Sequence, residues 1–295
     1  REFELRAIEE RRRGLIPGFI HSCVGQEATA VGACAALTQE DVITSTHRGH
    51  GHLLGKGGDP KFMMAELAGR SSGYCLGRGG SLHIAFSYYL DDEPWAQTQA
   101  DIEAHGVQSL AVQTEVRSAA QIRALVAATI ERFGRVDVLI NNASVWLKAP
   151  FLEISEEEWD LALAVNLKGP FLAAQTVAPH MLAQGCGVIL NITDLSAFQV
   201  WPGYAHHAAS KAGLVSLTKA LAVELAPAVR VNAIAPGTVL LPPNHTPEKK
   251  QWAEEKSLLK RIGSPQDVAR LAAFLIENEF VTGAVYFVDG GRALV

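Results

Sequence analysis

Cysteine is scarce and carries no pattern. The four in 295 residues, Cys23, Cys34, Cys75 and Cys186, form no C-x-x-C unit. That argues against a disulfide framework and fits a reducing, cytoplasmic setting. An excess of positive charge is also missing: 26 Lys and Arg stand against 31 Asp and Glu, a net charge of -5. Nothing draws such a chain to nucleic acid or to an anionic membrane. The one basic run, Arg11-Arg12-Arg13, follows Glu9 and Glu10 and reads as a solvated helix face. No apolar run is long enough to span a bilayer. The charged start, REFELRAIEERRRG, reads as helix rather than as a signal peptide. An initiator Met is absent, which leaves open that the chain is a fragment. What remains, 48% hydrophobic and 19% charged, suits one large α/β domain or a domain plus a smaller unit.

From Ile84 onward, short apolar runs alternate with amphipathic helical patterns. The predicted strands are Ile84–Tyr89, Ser109–Gln113, Val136–Asn141, Gly187–Ile192, Val229–Ile234 and Ala284–Val288. Helices are predicted near Gln97–His105, Ala119–Phe133, Glu157–Gln184, Ala205–Leu225 and Pro265–Ile276. Within the fourth of these, Leu214, Leu217, Leu221 and Leu225 make one apolar stripe. Strands rich in Val and Ile suit a parallel sheet covered on both faces. The alternation predicts an α/β, doubly wound parallel sheet with ligands at the carboxyl ends of its strands. Polar residues stand at those ends: Asn141-Asn142-Ala143-Ser144, Thr193-Asp194 and Ala235-Pro236-Gly237. Paired Asn residues there offer amide donors and acceptors to a ligand. They also suit turn chemistry alone.

RVDVLINNAS (135–144), Asn166 in AVNLKGPF, YAHHAASK ending at Lys211, VRVNAIAPG (229–237) and VTGAVYFVDGG (281–291) together resemble the short-chain dehydrogenase/reductase family. The resemblance covers 84–295. NNAS, the ITD at 192–194 and ELAPAVRVNAIAPG look like pteridine reductases within it. Most of the family has Ser where Asp194 stands, and pteridine reductases have Asp. A carboxyl there could hydrogen-bond and protonate a pterin ring.

The resemblance implies hydride transfer between a nicotinamide cofactor and a C=N or C=O substrate, with a side chain supplying the proton. It places Asn166, Asp194, His207 and Lys211 in the catalytic set. Glu115, Asn141, Asn142, Ala143, Pro236 and Gly237 join Lys211 in the cofactor site, and no metal is implied. In the family a Tyr stands four residues before the Lys, on one helix face; the Lys lowers its pKa and grips the nicotinamide ribose. Asn166 would order a water relay. NADP is the expected cofactor, and NAD stays open because Asp91 and Asp92 would repel a 2′-phosphate. A small-molecule substrate and a homo-oligomer, dimer or tetramer, built through the sheet-flanking helices are further expectations.

Two things the family has are missing. Four residues before Lys211 stands His207, not Tyr. Imidazole, with a reference pKa of about 6.5 against about 10 for tyrosine, can donate a proton; a neighbouring ammonium would leave less of the protonated form. Tyr204, about 10 Å along the helix from Lys211, is no easy substitute. The family also begins with a strand, a T-G-x-x-x-G-x-G turn and a helix whose N-terminus receives the pyrophosphate. No such unit directly precedes Ile84, so the Rossmann-like fold is expected to lack its first strand–helix unit and the enzyme to be impaired.

The N-terminal part, 1–83, is expected to be mostly helical and has another character. GLIPGFIHSCVGQEATAVG (14–32), EDVITSTHRGHGHLLGKG (40–57), AELAGR (65–70) and GRGGSLH (77–83) resemble the alpha subunit of thiamine-diphosphate-dependent 2-oxo acid dehydrogenases. The resemblance puts Arg48 on the cofactor's diphosphate and His21 and His83 near its active site. The family's next motif, GDG followed by Asn-Asn, is absent, so thiamine-diphosphate catalysis is not expected. Residues 42–51 resemble the missing glycine turn with Ser45 for its first Gly, a costly residue where φ > 0 is wanted. Three readings stay open: an impaired reductase, a fragment of a thiamine-diphosphate dehydrogenase, and a non-catalytic chimera from gene fusion or assembly error.

Overall fold

The computed structural model describes residues 2–13, 15–16, 60–67, 83–90, 94–104, 107–242 and 245–295. The chain divides into two compact units, Arg1–Gln113 and Thr114–Val295. The expected boundary at 83/84 therefore falls inside the first unit.

In the first unit, helices α1 (Glu2–Arg12) and α2 (Pro60–Leu67) precede strand β1 (Ile84–Tyr88), helix α3 (Trp95–Ala104) and strand β2 (Ser109–Gln113). β1 and β2 pair in parallel, from Ile84 opposite Ser109 to Tyr88 opposite Gln113. Parallel neighbours need a crossover, and α3 supplies it. The Tyr88 and Trp95 rings stack 5.1 Å apart where the strand hands over to the helix. His83 Nδ1 accepts the Gln108 N–H at 3.2 Å, so this histidine fastens the start of the ladder. The proposed stand-in turn at 42–51, with His21, Arg48, Asp91 and Asp92, lies outside the described residues.

The second unit holds helix α4 (Ala119–Phe133), strand β3 (Val138–Asn141), helix α5 (Glu156–Leu163), a π-helical turn (Ala164–Lys168), helix α6 (Gly169–Gln184), strand β4 (Gly187–Ile192), helix α7 (Ala205–Glu224), strand β5 (Val229–Pro236), helices α8 (Pro247–Glu255) and α9 (Pro265–Glu277), and strand β6 (Val285–Val288). Its sheet runs β3-β4-β5-β6, parallel throughout. The described strands thus form two parallel sheets of a Rossmann-like α/β fold.

Alternation along β4 explains its apolar run. Ile189 packs with Val126, Val177, Met181 and Val231 on one face, while Val188 and Leu190 meet Ile234 and Leu275 on the other. The strand is buried from Gly187 to Asn191. At Gly187 an added Cβ would lie 2.5 Å from Met181 Sδ, so close helix–strand packing requires the glycine.

Local signals set the helix ends. Ser118 accepts the Gln121 N–H at the start of α4, and Gly134 ends it at φ 80°. Ser155 and Glu158 form a capping box at α5. The expectation that no apolar stretch could span a bilayer needs correcting. The continuous helical run Glu156–Gln184 has 29 residues, and an 18-residue window within it has a mean hydropathy of 1.2, enough by length and composition. Its Val177 and Met181 are nevertheless core residues of the second unit, as expected of a buried core helix.

Candidate active site

Three segments meet beyond the carboxyl ends of β3 and β4. The loop after β3 brings Ser144, Val145 and Trp146. The segment after β4 brings Thr193 and Asp194. The first turns of α7 bring His207, Ser210 and Lys211, which share a face by their spacing. Asn166 enters from the π-helical turn, a distortion often found at functional sites.

Asn166 is 1% exposed and organises the back of the site. Its Oδ1 accepts from Val145 N–H at 2.8 Å and from Ser144 Oγ at 3.0 Å. Its Nδ2 donates to Ser210 Oγ at 3.0 Å and Val145 O at 3.1 Å. These bonds fix the loop that carries Trp146.

His207 is fully buried, and both its ring nitrogens have polar neighbours, Nδ1 lying 3.4 Å from Asn166 Nδ2 as well as near Val145 O. Nδ1 lies 3.1 Å from Val145 O, and Nε2 lies 2.7 Å from Asp194 Oδ2. The other oxygen, Asp194 Oδ1, accepts the Ser196 N–H at 2.7 Å and the Ser196 hydroxyl. Burial alone would raise the Asp194 carboxyl; hydrogen bonds from His207 and Ser196, and the charges of His207 and Lys211, outweigh it and hold the group below its ordinary value. Asp194 is therefore a fixed carboxylate paired with His207. That depression works against its expected service as a proton donor to a pterin ring.

Lys211 is 3% exposed. Burial pushes its ammonium below the ordinary value, with the Asp194 charge opposing. The ammonium donates to Ile192 O at 3.0 Å. An ammonium has three protons, so the group has donors to spare at the strand end. That fits the hydroxyls of a ribose.

Four predicted site residues therefore converge: Asn166, Asp194, His207 and Lys211. The others stand outside this hydrogen-bonded network. Asn141 donates to Asn191 Oδ1 at 2.8 Å, a bond between neighbouring strands. Asn142 and Ala143 are exposed just beyond β3. Pro236 ends β5, and the Gly237 N–H donates to Val288 O at 2.9 Å. Glu115 is paired with Arg117.

Sequence reasoning missed the aromatic wall. Trp146, 54% exposed, sets its ring edge-on to His207 at 4.3 Å and lies 4.9 Å from the Tyr204 ring. Trp201 stands 6.3 Å from both Trp146 and Tyr204. Tyr204, set aside by its distance from Lys211, belongs to this wall as the residue before α7. A Trp two residues past the NNAS strand end was the available signal. His206 was missed as well. It is fully buried, neither ring nitrogen has a partner, and burial lowers its pKa, with Glu158 opposing and His207 adding.

The phosphate end requires a further correction. Ser72-Gly73-Tyr74-Cys75-Leu76-Gly77-Arg78-Gly79 does have the G-x-x-x-G-x-G spacing directly before Ile84. These residues lie outside the described ones. The element before them is a helix, α2, and the next after them is the strand β1. Only Gly80 to His83 lie between, too few for the helix whose N-terminus would receive a pyrophosphate. Among the described residues, no strand–glycine turn–helix unit precedes β1.

Residues 79–293 match the family model described as enoyl-(acyl carrier protein) reductase. Residues 1–130 match the model described as dehydrogenase E1 component. A 3-oxoacyl-[acyl-carrier-protein] reductase from Staphylococcus epidermidis is 35% identical over 76% of this chain and 93% of its own length. A 3beta-hydroxysteroid dehydrogenase from Eggerthella lenta is 38% identical over 72% of this chain and 85% of its own. Among solved structures, acetoin dehydrogenase from Enterobacter cloacae superposes with a TM-score of 0.66 at 34% identity, over 74% of this chain and 87% of that one.

Proposed function

The chain belongs to the short-chain dehydrogenase/reductase family, and on that premise we propose that it is an NAD(P)H-dependent reductase of a small carbonyl compound, impaired at two points. The observation that carries this reading is the convergence of Asn166, Asp194, His207 and Lys211 at the carboxyl ends of β3 and β4. A bound nicotinamide would supply the hydride. Lys211 would hold its ribose, and the backbone after Asn141 and at Pro236–Gly237 would border the ring.

The protein's own part is to orient the carbonyl and supply a proton. Trp146 and Tyr204 offer an apolar wall, and the Asp194–His207 pair stands where the family has Ser and Tyr. A C=O substrate is favoured over a C=N one. The relatives are named for oxo, hydroxysteroid and acetoin chemistry, and both Asp194 oxygens are already engaged. Pteridine reduction rests on Asp194 and the NNAS and ITD motifs alone. The choice of NADP over NAD, and a homo-oligomer through the sheet-flanking helices, belong to the same proposal.

Impairment follows from two departures. Charge-assisted hydrogen bonds are worth about 1.5–3 kcal/mol each. Losing two or three from the pyrophosphate would weaken cofactor binding by about a hundredfold or more. Changing the proton donor would slow what remains, since general acid catalysis contributes about 10²–10⁴-fold. The test is reduction of small ketones and of dihydrobiopterin by NADPH and NADH. Little turnover is expected from the parent. Recovery is expected when a complete strand–glycine turn–helix unit is placed before Ile84 together with His207→Tyr. No recovery in that variant would sink the reading.

A second reading draws on the match of residues 1–130 to the E1 component. It makes the chain a fusion whose first part, 1–83, descends from a thiamine-diphosphate enzyme and acts, if at all, through subunit association. Thiamine diphosphate binding with no response to nicotinamide would favour it. Sequencing genomic DNA across codons 80–90 separates a genuine fusion from an assembly error.

A further inference from the structure

Resting on the reductase reading, we propose that the substrate is a carbonyl compound carrying a carboxylate, and that Arg292 receives that carboxylate beside the aromatic wall. The wall continues past Trp146, which stands 4.3 Å from the His207 ring and 6.3 Å from Trp201. Against Trp201 lies the Arg292 guanidinium, its Cζ 5.4 Å from the ring centroid. A second indole, Trp252 of α8, stands 5.1 Å from the same Cζ. Both contacts are cation–π pairs. One of the two rings therefore serves the cation and the wall at once.

The guanidinium is firmly placed and has donors left over. Gln199 Nε2 donates to Arg292 O at 3.3 Å and Ala293 O at 3.1 Å, which fastens the chain end to the loop that carries Trp201. Arg292 Nη1 donates to Thr238 Oγ1 at 2.7 Å. A guanidinium has five N–H donors in a fixed fork. Among the described residues, Nε and Nη2, the side edge of that fork, meet no acceptor, and no ion pair holds the group. The carboxylate whose charge reaches Arg292 is that of Asp289. Its oxygens are spent on the turn, accepting the Gly291 N–H at 2.9 Å and the Ala293 N–H at 2.7 Å. Burial pushes the guanidinium below its ordinary value, with Asp289 opposing, yet it stays a cation. A half-buried cation with two parallel N–H groups open matches a carboxylate, which accepts both at once.

The wall sets the shape of the molecule between the two ends. The carbonyl lies toward His207, the carboxylate at Arg292, and an apolar or aromatic middle along Trp146 and Trp201. A plain small ketone would fill the wall alone. Lys148 is the other cation at the wall, with Nζ 5.7 Å from the Tyr204 ring. It is exposed, where water and salt weaken its pull. Arg292 is gripped by two rings and a hydroxyl, so it loses less freedom on binding. It makes and breaks no bond; it is a specificity residue.

Calorimetry on the full chain, with no nicotinamide present, tests this. The probe is a biphenyl with a para-acetyl group on one ring and a para-carboxylate on the other, and its methyl ester is the uncharged control. The acid should bind the parent at least about tenfold more tightly than the ester, the weight of one charge-assisted hydrogen bond. Arg292→Gln should abolish that advantage and leave the ester's affinity unchanged. Arg292→Lys should keep part of it, since an ammonium lacks the fork, and Lys148→Gln should cost less than Arg292→Gln. Equal binding of acid and ester by the parent, or an advantage that persists in Arg292→Gln, overturns the proposal, as does a larger loss in Lys148→Gln. Should Arg292→Gln lose the ester as well, Arg292→Lys decides: a reduced advantage supports the fork and a parent-like one overturns it. Displacement of the acid by inorganic phosphate but not by acetate overturns the carboxylate in favour of a phosphate. A parent that prefers the acid but binds neither NADPH nor NADH overturns the reductase reading and leaves the carboxylate site standing.

Discussion

The sheets at 84–113 and 138–288 are both parallel and both joined by helices, yet they bury their strands differently. β4 is buried from Gly187 to Asn191, and β5 from Val231 to Ala235. β1 has no buried residue, and in β2 only Ser109 is buried. Parallel strands owe their stability to cover on both faces, and a two-stranded sheet has little of its own. The difference teaches that a matching local sequence makes a βαβ unit without making a core. Each residue of the convergent site lies in the second unit.

The largest expected effect breaks the contrast at its root. Leu190→Ala, in β4, should cost about 2–5 kcal/mol by urea unfolding, from lost burial and the cavity left behind. Phe86→Ala in β1 should cost clearly less despite the larger side chain. Equal losses would show that β1 is as well supported as β4.

Gly187→Ala comes next. Its new Cβ would press on Met181, and overpacking of this kind costs about 1–3 kcal/mol. An unchanged midpoint would mean that Met181 moves aside freely.

The pH dependence of stability sharpens the comparison within the site. Burial lowers the folded value of His206. Its contribution is neutral above the unfolded value of about 6.5, and stability is lost as pH falls below that. Asp194 is also depressed, but it is an acid. Its stabilisation is present above about 3.9 and lost only as pH falls through its lower folded value. Two separate acid limbs are therefore expected. His206→Leu should flatten the first, by at most about 1.4 kcal/mol per pH unit, and leave the second in place. A first limb that persists in His206→Leu would assign it to another group.

The smallest effect concerns a cap. Ser264 and Asp267 form a capping box at α9, and Ser264→Ala should cost about 1 kcal/mol. A midpoint unchanged in thermal unfolding would show that α9 is held by Leu275 and its neighbours alone.

Much of the second unit was legible because its elements are long, periodic and bounded by punctuation. β4 and α4 fall at their predicted limits, Gly187–Ile192 and Ala119–Phe133. β3 begins two residues late, at Val138, since Arg135 and Asp137 pair across its entrance. α8 was missed because PEKKQWAEE carries little apolar periodicity and stands on its Thr246 cap and Pro247 start. At the site, the convergence was readable from motif spacing. The pairing of His207 with Asp194 was not, since thirteen residues of chain between them say nothing of a 2.7 Å contact. The Trp146 wall was hidden for the same reason. The serine-led glycine spacing at 72–79 was overlooked because its last three residues open GRGGSLH, a stretch already matched to another family.

Cofactor titration tests the central claim most directly. The claim is a proposed reductase site that binds a nicotinamide cofactor weakly. The fluorescence of Trp146, beside His207, gives the readout when NADPH and NADH are added to the full chain. The account predicts a binding response at least about a hundredfold weaker than in a variant given a complete strand–glycine turn–helix unit before Ile84. Parent binding as tight as in that variant, with full turnover of a ketone, would contradict it and show that residues 1–83 already supply a working phosphate site.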